Sequence, residues 1–236
     1  MLSQQENCVM IFKQDSNLNK LLPQTEWLTY RSLWDMLDRY DSVIVKPVVY
    51  HDETPIILVH SLGSDQYEVD TGYEQKTIQS KKNLYSFLRK LILDKTAKVN
   101  YWVEQWLPLA KLDHRPFHIR VVMQKLSNTP WEITAKLAKL TNYTDSPPSF
   151  SSNGSTTISI EKALRNSSLN SELDHIALKT TKLIEKHFPA CQKINLDLGL
   201  DVYGNLWIIQ ADFKPENVLF LKLEEVSPVE RTKAVT

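Results

Sequence analysis

The sequence predicts an α+β fold of two lobes, and three kinds of segment predict it. The first is a pair of strands near the C-terminal end. Leu196, Leu198 and Leu200 alternate with Asp197, Gly199 and Asp201, the period of a half-buried strand. Beyond a Tyr203-Gly204-Asn205 turn, Leu206 to Asp212 is mostly apolar and then presents Gln210 and Asp212 on one face. The second is the β-branched run Val43 to Val49, which reads as a buried strand. The third is helical spacing, with Leu84, Phe87, Leu88, Leu91 and Ile92 on one face and Leu173, Ile176, Ala177, Leu183 and Ile184 on another.

In chain order, the first dozen residues read as a tail or a short edge strand. Trp27, Leu28, Leu33, Trp34 and Leu37 have helical spacing over 25–38, ending before the turn at Tyr40. After the Val43–Val49 strand, 56–59 and 66–69 read as two strands joined through Leu62-Gly63-Ser64. The helix over 84–92 then closes the smaller lobe. Strand candidates follow at 99–103, 117–126 and 131–140. Residues 141–157, rich in Ser, Thr, Pro and Asn, read as a loop. Ser171, with Asp174 three positions on, reads as the cap of the last helix. The boundaries expected are a tail over 1–19, a smaller lobe over 20–103, a larger lobe over 104–226 and a frayed tail over 227–236.

Composition narrows the function. At 236 residues with 42% hydrophobic content, the chain can bury a core. Lys plus Arg and Asp plus Glu both number 28, so no basic excess points to nucleic acid. No run approaches the roughly 18 apolar residues of a membrane helix. The N-terminus lacks the basic start and apolar core of a secretory signal, so a cytoplasmic setting is expected. Cys8 and Cys191 lie far apart in no metal-ligand spacing and read as free thiols. The Asn-x-Ser/Thr triplets at Asn142, Asn153 and Asn166 read as chance matches.

Chemistry concentrates at a few positions. Pairing the last two strands brings Asp197 near Gln210 and Asp212, and oxygen ligands on neighbouring strands suit Mg²⁺ beside a nucleotide phosphate. Lys46 sits inside an apolar strand and must snorkel to solvent or find an anion. Arg120 shares a face with His118, and its planar fork suits phosphate.

These residues carry a resemblance. Leu21-Leu-Pro-Gln-Thr25, Val43-Ile-Val-Lys-Pro47, Tyr101-Trp-Val-Glu-Gln105, Arg115-Pro-Phe-His-Ile-Arg-Val121 and the 194–215 segment occur in the order found in the YheC/YheD family. That family comprises ATP-grasp-like proteins associated with the endospore coat, and the likeness covers roughly residues 20 to 216. It implies an ATP-grasp fold with a nucleotide cleft between two α+β lobes, and ATP and Mg²⁺ as ligands. Lys46 is then expected at the nucleotide phosphates, and Glu104, Gln105, Trp106 and Leu107 at the adenine edge. Arg120 is expected at the terminal phosphate, and Asp197, Gln210 and Asp212 at the metal. Lys136 reads equally as a second phosphate contact or a solvated strand lysine. The hinge reads equally as an interlobe linker packed by Trp102 and Trp106.

Departures from the family pattern point to a degraded site. His118 stands where the family has aspartate, and Gln210-x-Asp212 where it has Glu-x-Asn. A glutamine cannot imitate a carboxylate that bridges two metal ions. The stretch Tyr50-His-Asp-Glu-Thr-Pro55 lacks the glycines that let backbone N–H groups approach phosphate, and its two acids repel it. The expected function is nucleotide binding or a non-catalytic role linked to sporulation, in a cytoplasmic or spore-associated setting with a spore-coat or other protein partner. The alternative is an active ATP- and Mg-dependent carboxylate–amine ligase working through an acyl phosphate.

Overall fold

The computed structural model describes residues 4–48, 56–93, 100–126, 129–140, 156–164 and 167–213. The chain opens with two helices, α1 (Gln4–Phe12) and α2 (Ser16–Asn19), where a tail or edge strand is expected. Helical spacing turns Cys8, Ile11 and Phe12 to one side, and all three are buried in the core of the larger lobe. Asp15 caps α2 by accepting from the N–H groups of Asn17 and Leu18, and pairs with Lys179 at 2.8 Å.

The smaller lobe follows as β1 (Thr25–Trp27), α3 (Tyr30–Tyr40), β2 (Ser42–Pro47), β3 (Ile57–Gly63), β4 (Gln66–Asp70), β5 (Gln75–Gln79), α4 (Lys81–Leu93) and β6 (Tyr101–Gln105). Its strands form one antiparallel sheet in the order β1-β6-β2-β3-β4-β5. Trp27 belongs to β1, not to the helix its spacing suggested. Thr29 and Ser32 form a reciprocal cap that starts α3 beyond it. The helix stops at Asp41, whose φ of 57° is left-handed. Because β6 runs to Gln105, Glu104 and Gln105 belong to the smaller lobe's sheet, two residues beyond the boundary expected at 103.

The larger lobe contains β7 (Lys111–Leu112), β8 (Arg115–Gln124), β9 (Glu132–Leu140), β10 (Thr156–Ser159), α5 (Ile160–Ala163), α6 (Ser167–His187), β11 (Lys193–Leu200) and β12 (Leu206–Phe213). Its strands run β10-β9-β8-β11-β12, with β7 paired to β8. The last helix begins at Ser167, a turn before the expected cap at Ser171. The β11–β12 hairpin turns where expected, and Gly204 supplies a φ of 88° there.

Each lobe has its own core. Val43, Val45, Val59 and Val69 face α3 and α4 with Leu33, Leu37, Leu84 and Leu88. Ile119, Val121, Met123, Ile194, Leu196 and Leu198 face α6 with Leu173, Ala177 and Ile184. Strand alternation therefore turns Ile44 and Lys46 in one sheet, and His118, Arg120 and Asp197 in the other, to the faces away from the helices. The expectations for 50–55, for 141–155 of the expected loop, for Asn142, Asn153 and Asn166, and for the 227–236 tail fall outside the described residues.

Candidate functional site

A cleft of about 430 Å³, including its opening to solvent, lies between the lobes. Thr25, Lys46, Trp102 and Glu104 line it from the smaller lobe, Ile209 and Gln210 from the larger, and Cys8 and Phe12 from α1. Its walls combine apolar surface with a few polar groups.

On the smaller lobe's wall, Lys46 Nζ donates to Glu104 Oε1 at 2.6 Å, with only 13% and 10% of the two side chains exposed. Glu104 Oε2 accepts from the Thr25 hydroxyl at 3.0 Å. The register explains the pairing, because Lys46 stands opposite Trp102 and Ile44 opposite Glu104, so lysine and glutamate are diagonal neighbours on one face. The ammonium expected at the phosphates is thus compensated within its own sheet. Trp27 packs against Trp102 with ring centroids 6.0 Å apart. At the hinge, Gln105 N–H donates to Gln24 O at 2.8 Å and Trp106 N–H to Ser42 O at 3.2 Å. Those two backbone donors are committed to the fold, and the Leu107 side chain is buried.

The larger lobe's wall is ordered in rows, because residues directly opposite in an antiparallel ladder share a face. One row runs Ser159, Leu137, Arg120, Asp197, Gln210, and the next runs Thr157, Lys139, His118, Gly199, Trp207. A third places Asn195 between Val122 and Asp212. Asp197 and Gln210, and likewise Asn195 and Asp212, therefore form two carboxylate–amide pairs on adjacent strands. The sequence reading brought Asp197, Gln210 and Asp212 together but missed Asn195, which the alternation with Ile194 and Leu196 puts on the same face as Asp197.

Arg120 dominates this wall. Its Nε and Nη2 donate to the two oxygens of Asp197, both at 2.7 Å, a bidentate pair in which Asp197 is 3% exposed. This bonding raises the arginine's pKa, burial opposes the rise, and the nearby Asp212 adds to it. His118 Nε2 lies 4.0 Å from Asp197 Oδ1. Burial pushes His118 down to about 4, with Asp197 pulling the other way and Arg120 and Lys139 reinforcing the drop. The imidazole is therefore neutral at pH 7.

Lys136 is on the other side of the sheet. It stands opposite Val121, a core residue, and its ammonium donates to Asn170 at 2.6 Å and Asp174 at 2.8 Å on α6. Neither a phosphate contact nor a solvated strand lysine describes it, because its phase matches Ala138 and Leu140. Lys139, one residue out of that phase, lies on the opposite face of the sheet, in the row of His118. Burial lowers its pKa, Arg120 lowers it further, and Asp197 acts in the opposite direction.

Asp201 is a further residue that sequence reasoning left unassigned. It is buried at the β11–β12 turn and accepts from the N–H groups of Tyr203 and Asn205, the Asn205 amide and the Trp207 indole, at 2.8–3.0 Å. Burial alone raises its pKa, but these four donors outweigh it and hold the carboxyl below its ordinary range.

Arg120 competes with any divalent cation for Asp197 in this arrangement. Both Asp197 oxygens are held by Arg120, and Mg²⁺ demands near-octahedral oxygen ligation. Among the described residues, no group of three His, Cys, Asp or Glu side chains converges as a metal site.

Two lobes of antiparallel sheet and helix, with Lys46 on the helix-free face of one sheet and Arg120 and Asp197 on that of the other, have the arrangement of the ATP-grasp class. Solved ligases share the fold. The VanG D-Ala:D-Ser ligase from Enterococcus faecalis has a TM-score of 0.52 at 9% identity, over 89% of this chain and 51% of that one. The L-amino acid ligase from Bacillus licheniformis has a TM-score of 0.50 at 13% identity, over 88% and 39%. The D-alanine–D-alanine ligase from Coxiella burnetii has a TM-score of 0.50 at 10% identity, over 89% and 47%. At these identities the likeness shows the fold alone, and the chain spans about half or less of each ligase's length. No curated protein matches the sequence. The chain belongs to the YheC/D-like ATP-grasp family, whose model matches residues 3–234. No helix among the described residues is long and apolar enough to cross a membrane.

Proposed function

We propose that this chain is a nucleotide-binding ATP-grasp protein that does not carry out ligation. The observation behind the reading is the Arg120–Asp197 fork. ATP-dependent ligation asks an arginine to stabilise a transferring phosphoryl group and a carboxylate to hold the metal beside it. Here each group satisfies the other, and separating a buried ion pair is strongly unfavourable. The adenine end supports binding through the apolar wall, with Glu104, Gln105, Trp106 and Leu107 at its edge. Lys46 and Glu104 act there as a neutral pair. Gln210 and Asp212 retain oxygen ligands without the carboxylate of Asp197 to complete a metal set.

The reading extends to a role linked to sporulation, with a spore-coat or other protein as partner and a cytoplasmic or spore-associated setting, and its support is the family resemblance alone. The second reading, a carboxylate–amine ligase using ATP and Mg²⁺, draws on the presence of Lys46, Arg120 and Asp197 on facing walls. Thermal melts with millimolar ATP, with and without Mg²⁺, together with an ADP-release assay, separate the two. Ligand at a hundred times its dissociation constant adds about 2.7 kcal/mol, which a melt detects. The expected result is a shift that is indifferent to Mg²⁺ and no ADP release. Magnesium-dependent ADP release would establish the ligase reading, and the absence of any shift would overturn nucleotide binding.

A further inference from the structure

The smaller lobe turns one face of its sheet to the cleft and covers the other with α3 and α4. On that outer side, an open depression of about 790 Å³, including its mouth to solvent, is lined by Tyr30, Asp65, Tyr67, Ser80, Lys81 and Lys82. Tyr30 is its exposed aromatic wall. The ring is 50% exposed and fixed by T-shaped contacts with Trp34 and Tyr85, at centroid distances of 5.5 and 5.3 Å. From the depression a charged stripe runs along α4, which holds Lys81, Lys82, Arg89 and Lys90 and no acid. At 3.6 residues per turn, Lys82, Arg89 and Lys90 fall within roughly 100° of one another around the helix axis. All three are exposed.

Two of these cations stand where the helix itself disfavours them. Lys81 and Lys82 lie at the positive end of the α4 dipole, whereas Arg89 and Lys90 suit its negative end. Lys81 is compensated, with its ammonium 5.3 Å from the centre of the Trp34 ring and 3.6 Å from Asp38. Lys82, Arg89 and Lys90 have no ion pair among the described residues. A chain without net charge thus carries an unbalanced basic stripe beside an exposed tyrosine. Carboxylates complement such a stripe, and tyrosine and arginine are residue types that anchor interfaces. From this placement we infer that the outer face of the smaller lobe docks an acidic segment of a partner protein, with an aromatic side chain of that segment seated on Tyr30. Nucleic acid fits less well, because Asp65 lines the depression, Asp38 sits beside Lys81, and the chain has no basic excess. The surface lies across the sheet from the cleft, so the inference stands independently of the nucleotide reading.

The test is fluorescence anisotropy of the full chain with a labelled peptide that repeats two glutamates and a tyrosine, beside the same peptide with serine for tyrosine. The variants are Lys82→Glu, Arg89→Glu and Lys90→Glu combined, Tyr30→Ser, and a control on α6 that combines Lys182→Glu and Lys186→Glu, both exposed positions. Thermal melts confirm that each variant is folded. Wild type is expected to bind the tyrosine peptide, and less tightly as salt rises. The combined reversal on α4 should weaken binding about tenfold or more, the scale of three rim charges. Tyr30→Ser should remove the preference for the tyrosine peptide over the serine one, and the α6 control should match wild type. Equal affinity in wild type and the α4 reversal overturns the inference, as does the failure of wild type to bind the peptide. A loss in the α6 control as large as that on α4 would mean attraction without a site, and overturns it too. Tighter binding of a single-stranded oligouridylate than of either peptide would assign the face to nucleic acid instead.

Discussion

Arg120 and Asp197 face each other across β8 and β11, and the guanidinium takes both carboxylate oxygens at 2.7 Å. The two residues that an ATP-grasp site would spend on phosphate and metal are thereby spent on each other. This one pair links the register of the sheet to the proposed loss of ligation.

Removing one member of the pair strands the other in a mostly buried position. Asp197→Ala should lower unfolding free energy by about 3–5 kcal/mol in a urea titration. The double change Arg120→Met with Asp197→Leu should recover most of that loss, since it leaves no uncompensated charge. A double variant as unstable as the single one would show that the pair is not what holds this wall together.

His118 provides a pH test. Its pKa is pushed down to about 4 by burial, against an unfolded value near 6.5. Between those values the unfolded chain binds more protons, so stability rises with pH, and acidification from about 6.5 to 4 removes it. The loss from this group is up to about 3 kcal/mol. Urea melts at pH 7 and pH 5 should show a smaller difference for His118→Asn than for wild type, and an identical difference would place the histidine in solvent.

Asp201 acts in the opposite chemical sense. Its carboxyl is held below the ordinary range, so the stability it contributes is present above its unfolded pKa and is lost as pH falls through the folded value. Asp201→Asn turns an acceptor-only group into one with a misplaced donor facing the backbone and indole N–H groups. It should cost about 1.5–3 kcal/mol at pH 7 and flatten the acid limb of the stability profile. Denaturant melts at pH 7 and pH 3 measure both effects.

Cys8 reports on α1. Burial, with smaller contributions from Asp212 and Cys191, pushes its thiol up to about 12, and it is 3% exposed. At pH 8 the native thiolate fraction is roughly 10³-fold below that of an ordinary cysteine, so labelling must proceed through opening of the helix. Alkylation followed by mass spectrometry should find Cys8 slow in native protein and fast in guanidinium. Because Cys8 lines the cleft, a bound nucleotide should slow it further. Fast native labelling would mean that α1 is not docked as the structure places it.

The two-lobed α+β fold was legible because its evidence is local. Alternation in 194–212 marks both strands of the hairpin, and the β-branched run 43–49 marks the central strand of the smaller lobe. The family pattern then supplied the order of the remaining parts. The face-to-face meeting of Asp197, Gln210 and Asp212 was readable for the same reason, since a two-strand hairpin sets its own register. The first dozen residues were misread because Cys8 to Phe12 is one short apolar run, and such a run does not distinguish strand from helix. Its docking against the larger lobe settled the matter.

Tertiary structure alone decided which charges meet. Lys136 and Lys139 differ by three positions in one strand, yet one faces α6 and Asp174 while the other lies on the opposite face beside His118. Glu104 was read as an adenine contact and Lys46 as a phosphate contact, but a diagonal step between β2 and β6 joins them. Residue type and local period establish what a side chain can do and which face of its own strand it occupies. The partner it finds depends on strands far away in the chain, 77 positions in the case of Arg120 and Asp197. That choice belongs to sheet register, a property of the whole fold.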